Sequence, residues 1–570
     1  MQQRWIMVAL GALAGLGFYG LGYLTEHDLL TPRPFFSLAV LTVSFFTILI
    51  AMTGPVPLRQ SAASAAAIAL AATALLSRAA LRFDDPLAFA ATPFAFVAGL
   101  VIAALPVPFL MARAGSGWRD YPALFAAAWG IVVRGAVAWS FVALVWGVIH
   151  ASSALFQVVG LGWIDRLLEI PFAPWLITGA VLGLAAAVVA ELDEIVTPYL
   201  VLRLLRLLVP VVLAVMMVFA LALPFRGLSD LFGEFSAAAI LLCMAGGAAT
   251  LVSAAVDRAD AEATEAGWMQ GAMRALAVVM AVPVGLAVWS VAQRVAQYGW
   301  TPERLLAATA ALAGLGYAGL YLLAVARGAG WMGRIRRANI WMALALIGAA
   351  ALWLSVLNPE AIAVRSQMAR FVAGKTPAAA LDVIAIGSWG RPGQAAMVRL
   401  QDLAGTDAAL AARLADPSGA PGQPVEDAAP LRAELVAILP LQPAGATATR
   451  DFLLAAADAG QVRGWLTACR VPLPGGAPGC VMVVADLLTD KPGEEAMLVL
   501  RDPGGWMRFD GLFLEDGVLQ TRGVISAAVA LYDVTAGEAL IADWQKNPPP
   551  LSPAPLNRLG LGDTTLMLQP

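Results

Sequence analysis

The stretch RGAGWMGRIRRANIWMALALIGAAALWLSVLN, residues 327–358, decides the fold. Arg327, Arg334, Arg336 and Arg337 crowd its beginning, and an uncharged run follows over 338–358. That run has about the ~20 residues needed to cross a bilayer. From Pro359 onward the chain turns charged, proline-containing and ordinary for a water-soluble sequence. The stretch reads as a last membrane helix with a basic anchor before it and a soluble domain after it.

Working outward, 60% of the 570 residues are hydrophobic and 13% charged, whereas soluble domains carry roughly 25% charged residues. Nearly all of the excess lies before residue 358. The formal charge of −3 points neither to nucleic acid nor to a strongly basic membrane patch. Basic residues are almost all arginine; Lys375, Lys491 and Lys546 all lie in the soluble part. The richness in Ala, Arg and Gly suggests a GC-rich bacterial genome.

Ten further apolar runs precede the last one: 5–24, 35–52, 61–80, 90–112, 131–154, 174–190, 206–224, 235–256, 271–292 and 305–326. The first is too long, and lacks the small-residue cleavage site, for a removed signal peptide. The Ala-rich run 61–80 decides between eleven helices and ten, and with ten the C-terminal domain changes sides. With the amino terminus in the cytoplasm, the inner loops hold Arg4, Arg59, Arg113, Arg119, Arg203, Arg206, Arg258, Arg274 and the four arginines of 327–337. The outer loops hold Arg33, Arg78, Arg82, Arg166, Arg226, Arg294 and Arg304. This bias places residues 359–570 outside, in a bacterial periplasm.

The expected fold is therefore a polytopic α-helical membrane protein of about eleven transmembrane helices over 1–358, followed by a small soluble α+β domain over 359–570. Three- and four-residue apolar spacing makes 359–442 helical, and 417–430 (PSGAPGQPVEDAAP) is a linker. From 480 to 535 short apolar strands alternate with the turns DKPGE, DPGG and EDG. The end, NPPPLSPAPLNRLGLGD, is Pro-rich.

Cys469 and Cys480 flank the loop RVPLPGGAPG. In an oxidising compartment such a pair reads as a disulfide, closing a short loop for roughly 2–3 kcal/mol. Two thiols without a nearby third ligand do not make a metal site. Cys243, in an apolar helix, reads as a small buried hydrophobe.

Three segments carry a resemblance: ALFQVVGLGWIDRLLEIPF (154–172), PYLVLRLLRLLVPVVLAVMMVFAL (198–221) and above all RVAQYGWTPERL (294–305). Over roughly 120–360 the chain resembles the bacterial family called domain of unknown function 4153. That family's turn pattern falls here on Arg294, Tyr298, Gly299, Thr301 and Arg304. The resemblance implies a multispanning bacterial inner-membrane protein and attaches no activity to it. The residues also have a local reading. Thr301 caps a helix starting at Pro302, Glu303 suits its first turn, and Gly299 supplies a tight turn.

Chemistry is sparse. Every membrane-half carboxylate, including the acidic cluster at 191–194, Asp230, Glu234 and the 257–265 group, falls in a loop or at a helix end. Arg134 looks intramembrane, but 135–156 can span alone and leave it snorkelling at the cytoplasmic edge. Pro106, Pro108, Pro210 and Pro283 could break helices around a site. No zinc-protease or nucleophile-elbow motif occurs, and His27 and His150 are isolated. Asp486, Asp490, Glu494 and Glu495 are too few oxygens for calcium. Gly246, Gly247 and Ala248 are the small residues expected to let helices approach. The sequence thus points to an inner-membrane scaffold, sensor or envelope-interaction protein. The reading leans away from an enzyme, with an enzyme of unfamiliar site as the third class, and no cofactor or metal is expected. The expected partners are the lipid bilayer and an envelope protein met through the periplasmic domain. The alternative is a transporter or lipid-handling protein.

Overall fold

The computed structural model describes residues 2–191, 198–226, 237–260, 262–264, 266–415, 428–457, 459–488, 493–502, 504–515, 518–523, 534–551, 558–561 and 564–567. It divides into two compact units, Met1–Thr376 with Ala385–Asp402, and Pro377–Ile384 with Leu403–Pro570.

The first unit opens with α1 (Gln2–Glu26), α2 (Pro32–Met52), α3 (Leu58–Ala80), α4 (Pro86–Ala90), α5 (Pro93–Ala104) and α6 (Pro106–Arg113). The long α7 (Tyr121–Val158) follows, then α8 (Trp163–Leu168), α9 (Ala173–Glu191), α10 (Pro198–Arg226) and α11 (Ala237–Val256). It continues through α12 (Gly267–Val279), α13 (Ala281–Tyr298), α14 (Pro302–Ala326), α15 (Trp331–Ser355) and α16 (Pro359–Val372). Among the described residues, eleven helices are long and apolar enough to cross a membrane, two of them as kinked pairs. The Ala-rich α3 is one of the eleven.

Prolines place the starts. α2, α4, α5, α6, α10, α14 and α16 all begin on proline, whose missing N–H is one that a first turn leaves unpaired anyway. Prolines also place the kinks. α5 stops at Ala104, before Pro106 and Pro108, and α12 stops at Val279, four residues before Pro283. Each of Pro108 and Pro283 removes the N–H that would bond back four residues. α10 runs unbroken through Pro210.

Arginines close the helix ends. Arg82 Nη2 donates to Trp353 O at 2.8 Å and Leu354 O at 3.2 Å, and Arg78 Nε to Ser355 O at 3.1 Å, at the end of α15. Arg334 caps α14 through Ala324 O and Gly328 O. Arg206 and Arg336 converge on the end of α11, where Arg336 Nη2 meets Val256 O at 2.7 Å and Nε meets Asp257 O at 3.0 Å. The last carbonyls of a helix have no partner within it, and a guanidinium fork bridges two of them. A lysine ammonium lacks that planar fork and could not bridge two carbonyls in the same way.

α1 and α9 approach closely along their length. A Cβ on Gly11 would lie 2.0 Å from Gly179 O, one on Gly15 2.1 Å from Trp175 O, and one on Gly183 2.1 Å from Met7 O. GALAG (11–15) faces GAVLG (179–183), a small-xxx-small pair. The expectation that Gly246 and Gly247 serve this role is overturned, because a Cβ on either would meet nothing. Ala248 is buried. Cys243 also departs from expectation. It is exposed on the outer face of α11, where an apolar surface needs no burial inside the bundle.

The second unit includes α19 (Ala408–Ala415), α20 (Ala428–Ile438), α21 (Thr447–Ala455), α22 (Ala459–Cys469) and α23 (Val534–Trp544); α17 (Val383–Ser388) and α18 (Gly390–Ala404) span the divide. Its sheet runs β1 (Leu441–Gln442), β2 (Cys480–Ala485), β3 (Glu495–Arg501), β4 (Met507–Glu515), β5 (Val518–Gly523), in that order. β1 is parallel to β2, and the rest form an antiparallel meander with Cys480 opposite Leu500 and Ala496 opposite Leu512. Alternation sends Cys480, Met482 and Val484 toward Trp465 and Leu466, and Val481 and Val483 toward Ile541. Both faces of β2 are therefore covered. β6 (Arg558–Leu561) and β7 (Thr564–Met567) form a separate hairpin.

Candidate functional site

α7 has 38 residues, so at ~1.5 Å each it is about 57 Å long, well beyond a ~30 Å hydrocarbon core. Arg134 sits thirteen residues in. Its Nε donates to Gly130 O at 3.0 Å, and the guanidinium lies over Gly130, where a Cβ would be 3.5 Å from Nη2.

Two cavities meet at this side chain. The first, about 720 Å³, is lined by Pro55, Met111, Ser116, Trp129, Leu202 and Arg258 as well as Arg134. The second, about 330 Å³, is lined by Phe18, Phe46, Trp139, Trp175 and Thr178 together with Gly11, Gly15 and Gly179. Both lie in the 300–1,000 Å³ range of ordinary ligand pockets. The glycine contact between α1 and α9 forms one wall of the second cavity. Trp146 Nε1 donates to Thr178 Oγ1 at 3.0 Å, tying α7 to α9 beside it. The second cavity's lining is apolar except for three threonines, Thr47, Thr53 and Thr178, and Arg134.

The acids of the first cavity are already committed. Asp257, 3% exposed and with a left-handed φ of 52°, pairs with Arg206 Nη2 and accepts Arg258 N at 2.6 Å. Glu262 pairs with Arg258, whose guanidinium holds that carboxyl below the usual range. The pair of cavities thus sets a cation between a chamber edged by Asp257, Arg258 and Glu262 and an apolar, aromatic-walled one.

A third cavity of about 430 Å³ opens where α5 breaks at Leu105 and Pro108. Its polar edge is a closed network. Asn339 Nδ2 donates to Tyr121 OH at 3.0 Å and Ser253 Oγ at 2.8 Å, while Tyr321 OH donates to Asn339 Oδ1 at 2.6 Å. A fully satisfied network of this kind fixes one packing. Pro210 and Pro283 line none of these three cavities.

The turn residues come together elsewhere in the first unit. Gly299 ends α13 at φ 76°, ψ −178°, and Thr301 Oγ1 accepts Arg304 N at 3.3 Å as the cap of α14. Arg304 Nη1 donates to Gly299 O at 2.7 Å, and Arg294 and Arg304 both lie over the Tyr298 ring, at 5.9 and 5.5 Å. α16 docks on this turn. Ser366 Oγ accepts Trp300 N at 3.0 Å, and Gln367 Nε2 donates to Tyr298 O and Trp300 O at 2.9 Å each. The five residues form a socket for the helix after the last span.

Cys469 and Cys480, in the second unit, are bonded to each other, with a Cα–Cα distance of 4.8 Å. The loop they enclose is braced by Leu473 N to Ala477 O at 2.8 Å. At the neighbouring acidic turn, Glu495 accepts Leu487 N and Leu488 N at 2.8 and 3.0 Å, and Glu494 accepts Thr449 Oγ1 at 3.0 Å. Those carboxylates hold protein groups. Asp490, Lys491 and Pro492 lie outside the described residues, as do Asp193, Glu194, Asp230, Glu234, most of the 417–430 linker and much of the Pro-rich end.

Sequence reasoning placed Arg134 at the edge of a span over 135–156, whereas α7 runs unbroken from Tyr121 to Val158, and it did not see the cavities, the second of which needs α1, α2 and α9 as well as α7. The paired GxxxG spacing of 11–15 and 179–183 was the available signal.

No curated protein and no solved structure matches the chain. The model of the family described as Domain of unknown function (DUF4153) matches residues 35–400. This is wider than the resemblance over 120–360, and takes in α2 to α6 and the helix α16 that occupies the socket. Covering well over half of the sequence, the match places the chain in the DUF4153 family.

Proposed function

We propose that this is a lipid-handling protein of the bacterial inner membrane, which binds the acyl chain of an anionic amphiphile within its helical bundle. The observation that carries the reading is Arg134, among the described residues the one charged side chain bordering both the larger cavity and the aromatic-walled one. A guanidinium there suits an anionic head, and the aromatic-walled chamber suits a hydrocarbon tail. Insertion in the bilayer is supported by eleven helices of spanning length and by outward-facing Leu144, Leu204, Val218 and Leu312, each more than half exposed. The arginine bias favours a cytoplasmic amino terminus, and the Cys469–Cys480 bond favours an oxidising compartment for the soluble domain, hence the periplasm. The action is binding rather than bond chemistry, and the periplasmic domain is free to meet an envelope partner. The cavities favour lipid handling over a purely scaffolding role.

The test uses the full chain in detergent with a photoactivatable fatty acid and the matching fatty alcohol. The acid should label peptides of α1, α7 and α9 in preference to the alcohol, and Arg134→Leu should reduce that preference at least several-fold. Equal labelling by acid and alcohol in the native chain overturns the reading.

A further inference from the structure

A fourth cavity, an open cleft of about 500 Å³, lies in the first unit between the ends of α3 and α15 and the start of α18. Three guanidinium groups line it, those of Arg78, Arg82 and Arg391, together with Ser355 and Asn358. No carboxylate does. Of the nearest acids, Asp84 meets Arg391 Nε at 3.0 Å, and Glu360 is buried 3.7 Å from Arg82 Nη1.

Helix capping explains part of this cluster. Arg82 spends Nη2 on two carbonyls of α15, and Arg78 spends Nε on Ser355 O. It does not explain Arg391, which caps nothing. Arg391 is held in place by its backbone. Gly390 adopts φ 58°, a Cβ there would lie 2.5 Å from Arg82 O, and Arg391 N donates to that same oxygen at 2.8 Å. The chain after the last span is thus clamped onto the loop after α3, which puts a third cation across from the first two. Arg78 is exposed, and Arg391 and Asp84 are both about half exposed, so the cleft is open to a solute or a lipid head.

We propose that this cleft binds a phosphate group, carried by an anionic phospholipid or free in solution. Convergent guanidinium forks match the oxygens of a phosphate bidentately, whether the phosphate is a lipid headgroup's or free. The site is separate from the Arg134 cavities and does not depend on the reading given to them.

The native chain and an Arg78→Gln/Arg391→Gln variant are compared, with Arg391→Glu alone as a second variant because it leaves the cap on Ser355 intact. The Arg134 cavities are the same in all three. Native mass spectrometry from mixed phosphatidylglycerol and phosphatidylcholine nanodiscs reads the lipid source. Thermal unfolding in detergent with millimolar glycerol phosphate or inorganic phosphate reads the soluble source. A lipid site predicts retained phosphatidylglycerol in excess over phosphatidylcholine in the native chain, falling several-fold in both variants. A soluble-anion site predicts a rise of several degrees in the native midpoint that both variants lose. Native and variant chains alike in both measurements overturn the proposal.

Discussion

Arg370 occupies the space that a side chain on Gly299 would need, its Cδ lying 2.6 Å from the Cβ position. The same arginine donates to Ala296 O at 3.1 Å and to Gln297 O, so α16 caps α13 from outside it. The family turn is a receptor for that helix.

Gly299→Ala should therefore destabilise the first unit. The φ 76°, ψ −178° conformation is nearly exclusive to glycine, with a penalty of about 1–3 kcal/mol for other residues, before the clash with Arg370 is counted. A lower thermal midpoint and faster proteolysis after residue 359 are expected. A variant as stable as the native chain would sink this account of the turn.

Gly179→Leu should separate α1 from α9, because the glycine contact brings backbone oxygens within 2.1 Å of the Cβ positions. Overpacking of this kind costs about 1–3 kcal/mol. Gly246→Leu, by contrast, meets open space and should change little. Unfolding midpoints of the two variants in the same detergent make the comparison, and equal losses would contradict it.

Stability should depend on pH through Glu360. This residue is 2% exposed, and its Oε2 has no hydrogen-bond partner. Burial pushes its carboxyl above the usual carboxylate range, and burial likewise lowers the Arg82 guanidinium beside it. A folded pKa above the unfolded one means the contribution is whole below the unfolded value, about 4.3, and is lost as pH rises through the folded value. Glu360→Gln should remove this fall, so that the variant gains on the native chain as pH rises. A gap between the two midpoints that stays constant with pH would exclude it.

Reduction of the Cys469–Cys480 bond should lower the stability of the second unit by roughly 2–3 kcal/mol, as expected for a short closed loop. Peptide mapping without reductant should recover the two cysteines as one linked pair. Recovery of two free thiols from native protein would remove both the bond and the support it lends to a periplasmic placement.

Alkaline phosphatase fused after Pro359 should be active in cells. Activity only for a cytoplasmic reporter at that position would reverse the layout.

Periodicity and composition alone determined the helices: apolar runs of spanning length report themselves, and α3, poor in large side chains, still holds its place among the eleven. Local spacing also determined the disulfide and the Thr301 cap, since each depends on neighbours a few residues away; prolines alone did not decide the breaks, as helices part at Pro108 and Pro283 but α10 runs on through Pro210. Tertiary structure alone decided which small residues bring helices together. GALAG and GGA are equally small in sequence, and only packing made Gly11 a contact and left Gly246 facing open space. It decided likewise what the arginines are for. Arg78, Arg82, Arg206, Arg334 and Arg336 count as loop charges in sequence, yet each reaches carbonyls at the end of a helix. Arg134 is the sharpest case. A cavity is made by what surrounds it, and α7 supplies only one wall of this one; the others come from α1, α2 and α9, more than 30 residues from Arg134 in the chain.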